Sequence, residues 1–143
     1  MTVFRAVLDT TFFVLHYFSD DSEVQSKSRE ILRMCRILGN RGILPTIVMA
    51  EFYVQVAKRV GREEARKLFN ELNNADLDIV DMDAVIAELA GRLRHKYQEK
   101  IPWGDCIVAA SALNNKAGIV ISEDPHFSKI NEIKMRKLAS IHL

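Results

Sequence analysis

The feature that most constrains this chain is an alternation. Short apolar and β-branched runs are separated by longer segments in which apolar residues recur at helical spacing. "VFRAVLD" (residues 3–9) reads as a buried strand that ends on an acid and runs into the helix "TFFVLHYF". Residues 22–38 carry a helical pattern that "GNRG" stops, and "ILP" follows as a second short strand. "TIVMAEFYVQVAKRV" is apolar over most of a helix circumference and is closed by Gly61, while "REEARKLFNELNN" is amphipathic. "LDIVDM", "IVIS" and "EIKMRKL" read as later strands, set among the helices "DAVIAELAGRLRHKYQEK" and "PWGDCIVAASALNNKAG". Such an order implies an α/β fold with a mostly parallel central sheet of four to five strands. Crossover connections would place helices on both of its faces. Chemistry on such a sheet gathers at the carboxyl ends of the strands.

At 143 residues the pattern makes a single domain, expected over 1–143. No apolar run approaches the ~20 residues of a membrane span, and the first residues lack a charged-then-apolar signal, so a cytoplasmic protein with no membrane partner is expected. Cys35 and Cys106 lie in apolar helical patterns without C-x-x-C spacing and read as buried thiols. The four histidines show no metal-ligand spacing and read as surface or half-buried residues. A net charge of +1 argues against a protein that coats polyanions generally, but leaves room for a local basic patch.

Four acids stand out. Asp9 ends the first strand, where it could simply cap the next helix. Glu51 emerges from a mostly apolar helix, among Ile47, Val48 and Val54. Asp105 lies in the first turn of a helix and shares its face with Val108, Ala109 and Ala112, small residues suited to close packing on a sheet. Asp124 follows the fourth strand in "ISEDPHF", a position that also suits a turn. Strand ends of a parallel sheet converge, so Asp9 and Asp124 would share one edge, within reach of Asp105 and Glu51. Carboxylates that close raise one another's pKa or destabilise the fold unless cations neutralise them. Hard oxygen ligands select Mg²⁺ or Mn²⁺ over zinc. A divalent ion there suits phosphodiester hydrolysis.

These residues resemble a known family, the PIN-domain ribonucleases, and most closely the VapC-type toxins of prokaryotic toxin–antitoxin pairs. The likeness rests on "VLDTTF", "TIVMAEFYV", "GDCIVAASAL" and the strand-end S-x-D-x-x-F of "SEDPHF", in that order and at similar spacing. It implies a PIN-like domain in which Asp9, Glu51, Asp105 and Asp124 line a Mg²⁺ or Mn²⁺ site, with Thr10 or Ser122 as supporting hydroxyls. It also implies endonucleolytic cleavage of RNA, restraint by a small antitoxin, and a homodimer. Ser122 departs from the more usual threonine, and Glu123 is an additional acid. Adjacent strand residues point oppositely, so one of the pair faces the site, and Asp124 is the expected one.

Candidate phosphate contacts are Lys58 and Arg59 beyond Glu51, and Arg92, Arg94 and Lys96 in "RLRHK"; an ordinary solvated helix face is the preferred reading of both groups. Phe12, Phe13, Tyr17 and Phe18 could stack bases, or form core or a groove for a partner helix. Two other fold analogies fit poorly. A haloacid-dehalogenase-type phosphatase needs an acid where Thr11 stands, and a receiver domain needs paired early acids and a late lysine that do not follow matching strands here. The remaining alternatives are a non-cleaving PIN-fold module for RNA binding or assembly, and an RNA-processing nuclease without an antitoxin.

Overall fold

A computed structural model describes residues 3–143; the expected domain of 1–143 also takes in residues 1 and 2, which lie outside the described residues. The chain runs β1 (Arg5–Leu8), α1 (Thr10–Phe18), α2 (Ser22–Cys35), β2 (Arg41–Pro45), α3 (Thr46–Val60), α4 (Arg62–Asn73), β3 (Asp78–Val80), α5 (Ala84–Lys96), α6 (Trp103–Asn114), β4 (Ile119–Ile121) and β5 (Lys134–Arg136). Single 3₁₀ turns at Pro125–Lys129 and Leu138–Ser140 flank β5. All strand pairs are parallel, in the order β3-β2-β1-β4-β5. The fold is therefore α/β with a five-stranded parallel sheet, the upper end of the expected count.

β1 is central because its residues can be buried on both faces. Ala6, Val7 and Leu8 are fully buried, with Val7 opposite both Ile43 and Val120 and Leu8 opposite Ile121. Burial of each larger aliphatic chain contributes about 1.5–3 kcal/mol. The edge strands β3 and β5 are short and carry Asp78, Lys134 and Arg136, which discourages further strand pairing.

From β1 the chain steps outward through β2 to β3, then crosses back to β4 on the other side of β1. Right-handed crossovers in opposite directions place α1 to α4 on one face and α5 with α6 on the other. α6 touches β1, β2 and β4, an approach that its buried Ala109, Ala110 and Ala112 permit. The reversal of direction between β1 and β4 opens a crevice at their carboxyl ends, where ligands of such sheets bind.

Boundaries differ from the sequence reading where turns intervene. α2 stops at Cys35, and α5 stops at Lys96 because Gln98 and Glu99 turn left-handed, with φ of 58° and 59°. Gly61, at φ 95°, separates α3 from α4 in a conformation that a side chain would strain. Phe12 and Phe13 belong to the core, whereas Tyr17 and Phe18 are half-buried against it.

Candidate active site

Asp9 sits at the N-cap position of α1 in extended backbone geometry, yet its side chain makes no capping hydrogen bond. It turns into the β1/β4 crevice. There the Ser122 hydroxyl, on the residue after β4, donates to Asp9 Oδ2 at 2.7 Å. With its one proton committed, Ser122 Oγ accepts the hydroxyl of Thr11 at 3.1 Å and the amide of Asp124 at 2.9 Å. Thr11 Oγ1 in turn accepts the Glu123 amide at 2.9 Å. This chain of hydroxyls ties the end of β1 to the end of β4 and orients Asp9 at the same time.

Glu51 projects from α3 toward the same crevice, and the Thr10 hydroxyl donates to its Oε1 at 3.0 Å. Gly104 leaves it room, since a Cβ at that position would lie 2.7 Å from Glu51 Oε2. Asp105 enters from the first turn of α6. It is 7% exposed, and its Oδ2 is buried with no hydrogen-bond partner. Asp124 caps the following 3₁₀ turn, its Oδ1 accepting the His126 amide at 2.9 Å and lying 2.8 Å from His126 Nδ1. Its neighbour Glu123 turns away to accept the Leu138 amide at 3.0 Å, so the carboxylate in the crevice is that of Asp124.

Asp9, Glu51, Asp105 and Asp124 thus line one cavity of about 430 Å³, together with Thr10, Thr11 and, on the α1 and α3 sides, Val14, Val54, Gln55 and Arg59. Among the described residues, no lysine or arginine forms an ion pair with any of the four acids. Burial raises Asp9, with Asp124 adding to the rise against the hydrogen bond from Ser122. Burial likewise raises Glu51. Asp105 is pushed up to about 8, first by burial and then by the negative charges of Asp124 and Asp9.

This donor set fits a hard divalent cation. It offers carboxylate oxygens from four elements, one of them a buried oxygen with no proton donor of its own, and an excess of negative charge without a resident cation. His126, which sequence reasoning had set aside, is part of this group. Its Nδ1 lies 3.3 Å from Asp105 Oδ2, close but not aligned for a hydrogen bond, and the ligand atoms of Asp105, Asp124 and His126 lie within 4.8 Å of one another. Spacing could not reveal it, because Asp105 and His126 meet only when α6 packs across the sheet. Thr11 was missed as well, since a hydroxyl beside an acid is common and its partners are more than a hundred residues away.

The basic candidates separate. Arg59 stands at the cavity wall, bonded to Gln55 and lying 5.7 Å over the Phe18 ring; Lys58 is exposed one residue before it and does not line the cavity. Arg92 is exposed, 3.9 Å from Glu88. Arg94 donates to the Ile101 carbonyl at 2.7 Å and lies 4.9 Å over Trp103, and Lys96 pairs with Glu132 at 2.8 Å. These three α5 residues do not line the cavity either.

The sequence matches the family described as the PIN domain over residues 6–133. No curated protein sequence matches the chain. Solved structures share the fold at low identity. VapBC2 from Rickettsia felis, bound to a promoter DNA fragment, superposes with a TM-score of 0.72 at 19% identity, covering 93% of this chain and 98% of that one. DNA-bound VapBC from Salmonella typhimurium gives 0.73 at 16% identity, over 95% and 99%. VapC20 from Mycobacterium tuberculosis, a toxin that cleaves the sarcin–ricin loop, gives 0.70 at 14% identity, over 88% and 95%.

Proposed function

The chain belongs to the PIN-domain family, and on that premise we propose that it is a Mg²⁺- or Mn²⁺-dependent endoribonuclease, the toxin of a toxin–antitoxin pair. The observation that carries this reading is the crevice at the β1/β4 switch, where four carboxylates face one cavity with no basic partner and Asp105 Oδ2 is buried without a hydrogen bond.

Asp9, Asp105, Asp124 and Glu51 would hold the ion. When bound, it supplies the means to polarise a phosphoryl oxygen and to make a water acidic enough to attack phosphorus. The protein's own part is positioning. Ser122 fixes Asp9 by a short hydrogen bond, Thr10 fixes Glu51, and the Thr11–Ser122 link holds the two strand ends at a constant separation. Arg59, at the wall of the same cavity, is placed to meet a backbone phosphate.

Restraint by a small protein is supported by the fold shared with the VapBC complexes and by the apolar Val14 and Val54 on the cavity wall, which a covering partner would bury. The test is cleavage of a structured RNA by the purified protein with Mg²⁺ or Mn²⁺ and with a chelator. Cleavage that needs the ion and disappears in Asp9→Asn and Asp105→Asn is expected. RNA retained uncut under excess metal, with no bound antitoxin, would instead identify a binding module. Co-purification with the product of an adjacent short reading frame tests the toxin assignment.

A further inference from the structure

His126 brings an imidazole nitrogen to the edge of a group of candidate metal ligands that are otherwise carboxylate oxygens. It follows Asp124 by two residues, in the 3₁₀ turn that Asp124 caps, and this turn brings the imidazole beside Asp105. Nδ1 lies 2.8 Å from Asp124 Oδ1 and 3.3 Å from Asp105 Oδ2. The second of these oxygens is the buried one with no hydrogen-bond partner, on a residue only 7% exposed. One ligand atom from each of Asp105, Asp124 and His126 lies within 4.8 Å of the others, and among the described residues no lysine or arginine pairs with them.

We infer that His126 is a direct ligand of the divalent ion through Nδ1, and that this nitrogen biases the site toward Mn²⁺ over Mg²⁺. The inference rests on the metal-dependent reading above and deepens it. Mg²⁺ holds to oxygen ligands and keeps its waters, whereas imidazole suits the later divalent ions, and affinity at a mixed nitrogen and oxygen site rises along the first transition row from Mn²⁺. Coordination requires the neutral ring with its proton on Nε2. A hydrogen on Nδ1 facing Asp124 would leave to solvent as the ion binds, the neutral ring keeping its hydrogen on Nε2, and Asp105 Oδ2 would gain the partner it lacks. The geometry also explains the arrangement of the turn. If His126 served only to cap or hold Asp124, its ring would have no reason to approach Asp105 as well.

Mn²⁺ is itself the probe. Electron spin-echo envelope modulation of Mn²⁺ added to the purified full-length protein should show ¹⁴N coupling from an imidazole, and His126→Gln should lose it. The glutamine keeps a donor toward Asp124 but supplies no imidazole nitrogen. Calorimetric titration should show the preference for Mn²⁺ over Mg²⁺ falling by about tenfold or more in His126→Gln, a range seen when groups around a metal are altered. The side chain of His126 is 38% exposed, so the fold should tolerate the change, which circular dichroism verifies. Should the variant fail to fold, the wild-type spectrum decides alone. Mn²⁺ bound with no nitrogen coupling overturns His126 ligation while leaving the ribonuclease reading intact. No Mn²⁺ or Mg²⁺ binding by the wild-type protein overturns both.

Discussion

Two regions of this molecule hold charge partly out of water, and they solve the problem oppositely. At the outer side of the sheet, Arg41 on β2 bonds to Asp78 on β3 through Nε, at 2.7 Å, and through Nη2. It also reaches the Asn115 carbonyl and side chain at 3.3 and 3.2 Å. Every charge there has a partner, as the burial of an ion demands. At the β1/β4 crevice four acids converge, among the described residues no lysine or arginine is paired to them, and one carboxylate oxygen is without a hydrogen bond. A structural ion pair is complete within the chain. The crevice acids are a candidate site for a divalent ion.

That contrast can be broken most severely at the acids. Asp9→Asn or Asp105→Asn should lower RNA cleavage by about 10²-fold or more, as loss of a key electrostatic group does, while the melting temperature without metal stays level or rises because repulsion is removed. Cleavage that survives both changes would put the chemistry elsewhere.

The next effect is on stability. Asp105 titrates at about 8 in the folded protein against an ordinary 3.8. The folded state therefore holds the proton more tightly than the unfolded one. The stability this contributes is present in full below pH ~4 and is lost as pH rises through ~8. Melting of the metal-free protein should thus fall in temperature across that window. A divalent ion held at one concentration, about a hundred times its dissociation constant at pH ~8, should restore about 2.7 kcal/mol there and less at pH ~5, where protons compete. Equal stabilisation at both ends would argue that the ion does not bind these acids.

On the paired side, Arg41→Met should cost about 1 kcal/mol, since the half-exposed Asp78 and the Asn115 carbonyl lose their donors to water, with cleavage per folded molecule unchanged. A matching loss of activity would mean that the two regions are coupled. Gly104→Ala sharpens the comparison further. The new methyl would press on the end of the flexible Glu51 side chain, so stability should change by less than about 1 kcal/mol while metal affinity falls severalfold. Arg92→Ala should be smallest, within about 0.5 kcal/mol in stability and without effect on cleavage, because its ion pair with Glu88 is exposed and long. Arg59→Ala, at the cavity wall, should instead raise the RNA concentration needed for half-maximal rate.

Much of the fold was legible because period-2 and period-3.6 patterns report burial directly. The weakest prospective strand, "EIKMRKL", proved to be β5, and "ILP" proved to be the buried core of β2. Helix ends were less legible, as at Gln98 and Glu99, where left-handed backbone occurs without glycine. At the crevice, the four acids could be picked out as carboxylates poorly suited to their apolar surroundings. Their supports could not. Thr11 acts through hydrogen bonds of 3.1 and 2.9 Å, and Gly104 through the room its missing Cβ leaves Glu51; these partners lie far apart in the chain, and no periodicity records them. His126 had been set aside for lack of ligand spacing, although a loop folding back on a helix needs none.

By itself, then, the sequence determined the alternating α/β plan and the presence of acids at strand ends and helix starts, because these follow from local propensity and from which residues must leave water. Only the tertiary structure decided what each acid does. Asp9 stands where a cap would stand and does not cap, because Ser122, 113 positions away, offers its carboxylate a better-placed donor. Asp105 could have been a helix-dipole acid; the packing of α6 on the sheet leaves its Oδ2 instead buried, facing like charges and an imidazole. The difference lies in distance. Propensity acts between neighbours in the chain, whereas charge and hydrogen bonding act between neighbours in space.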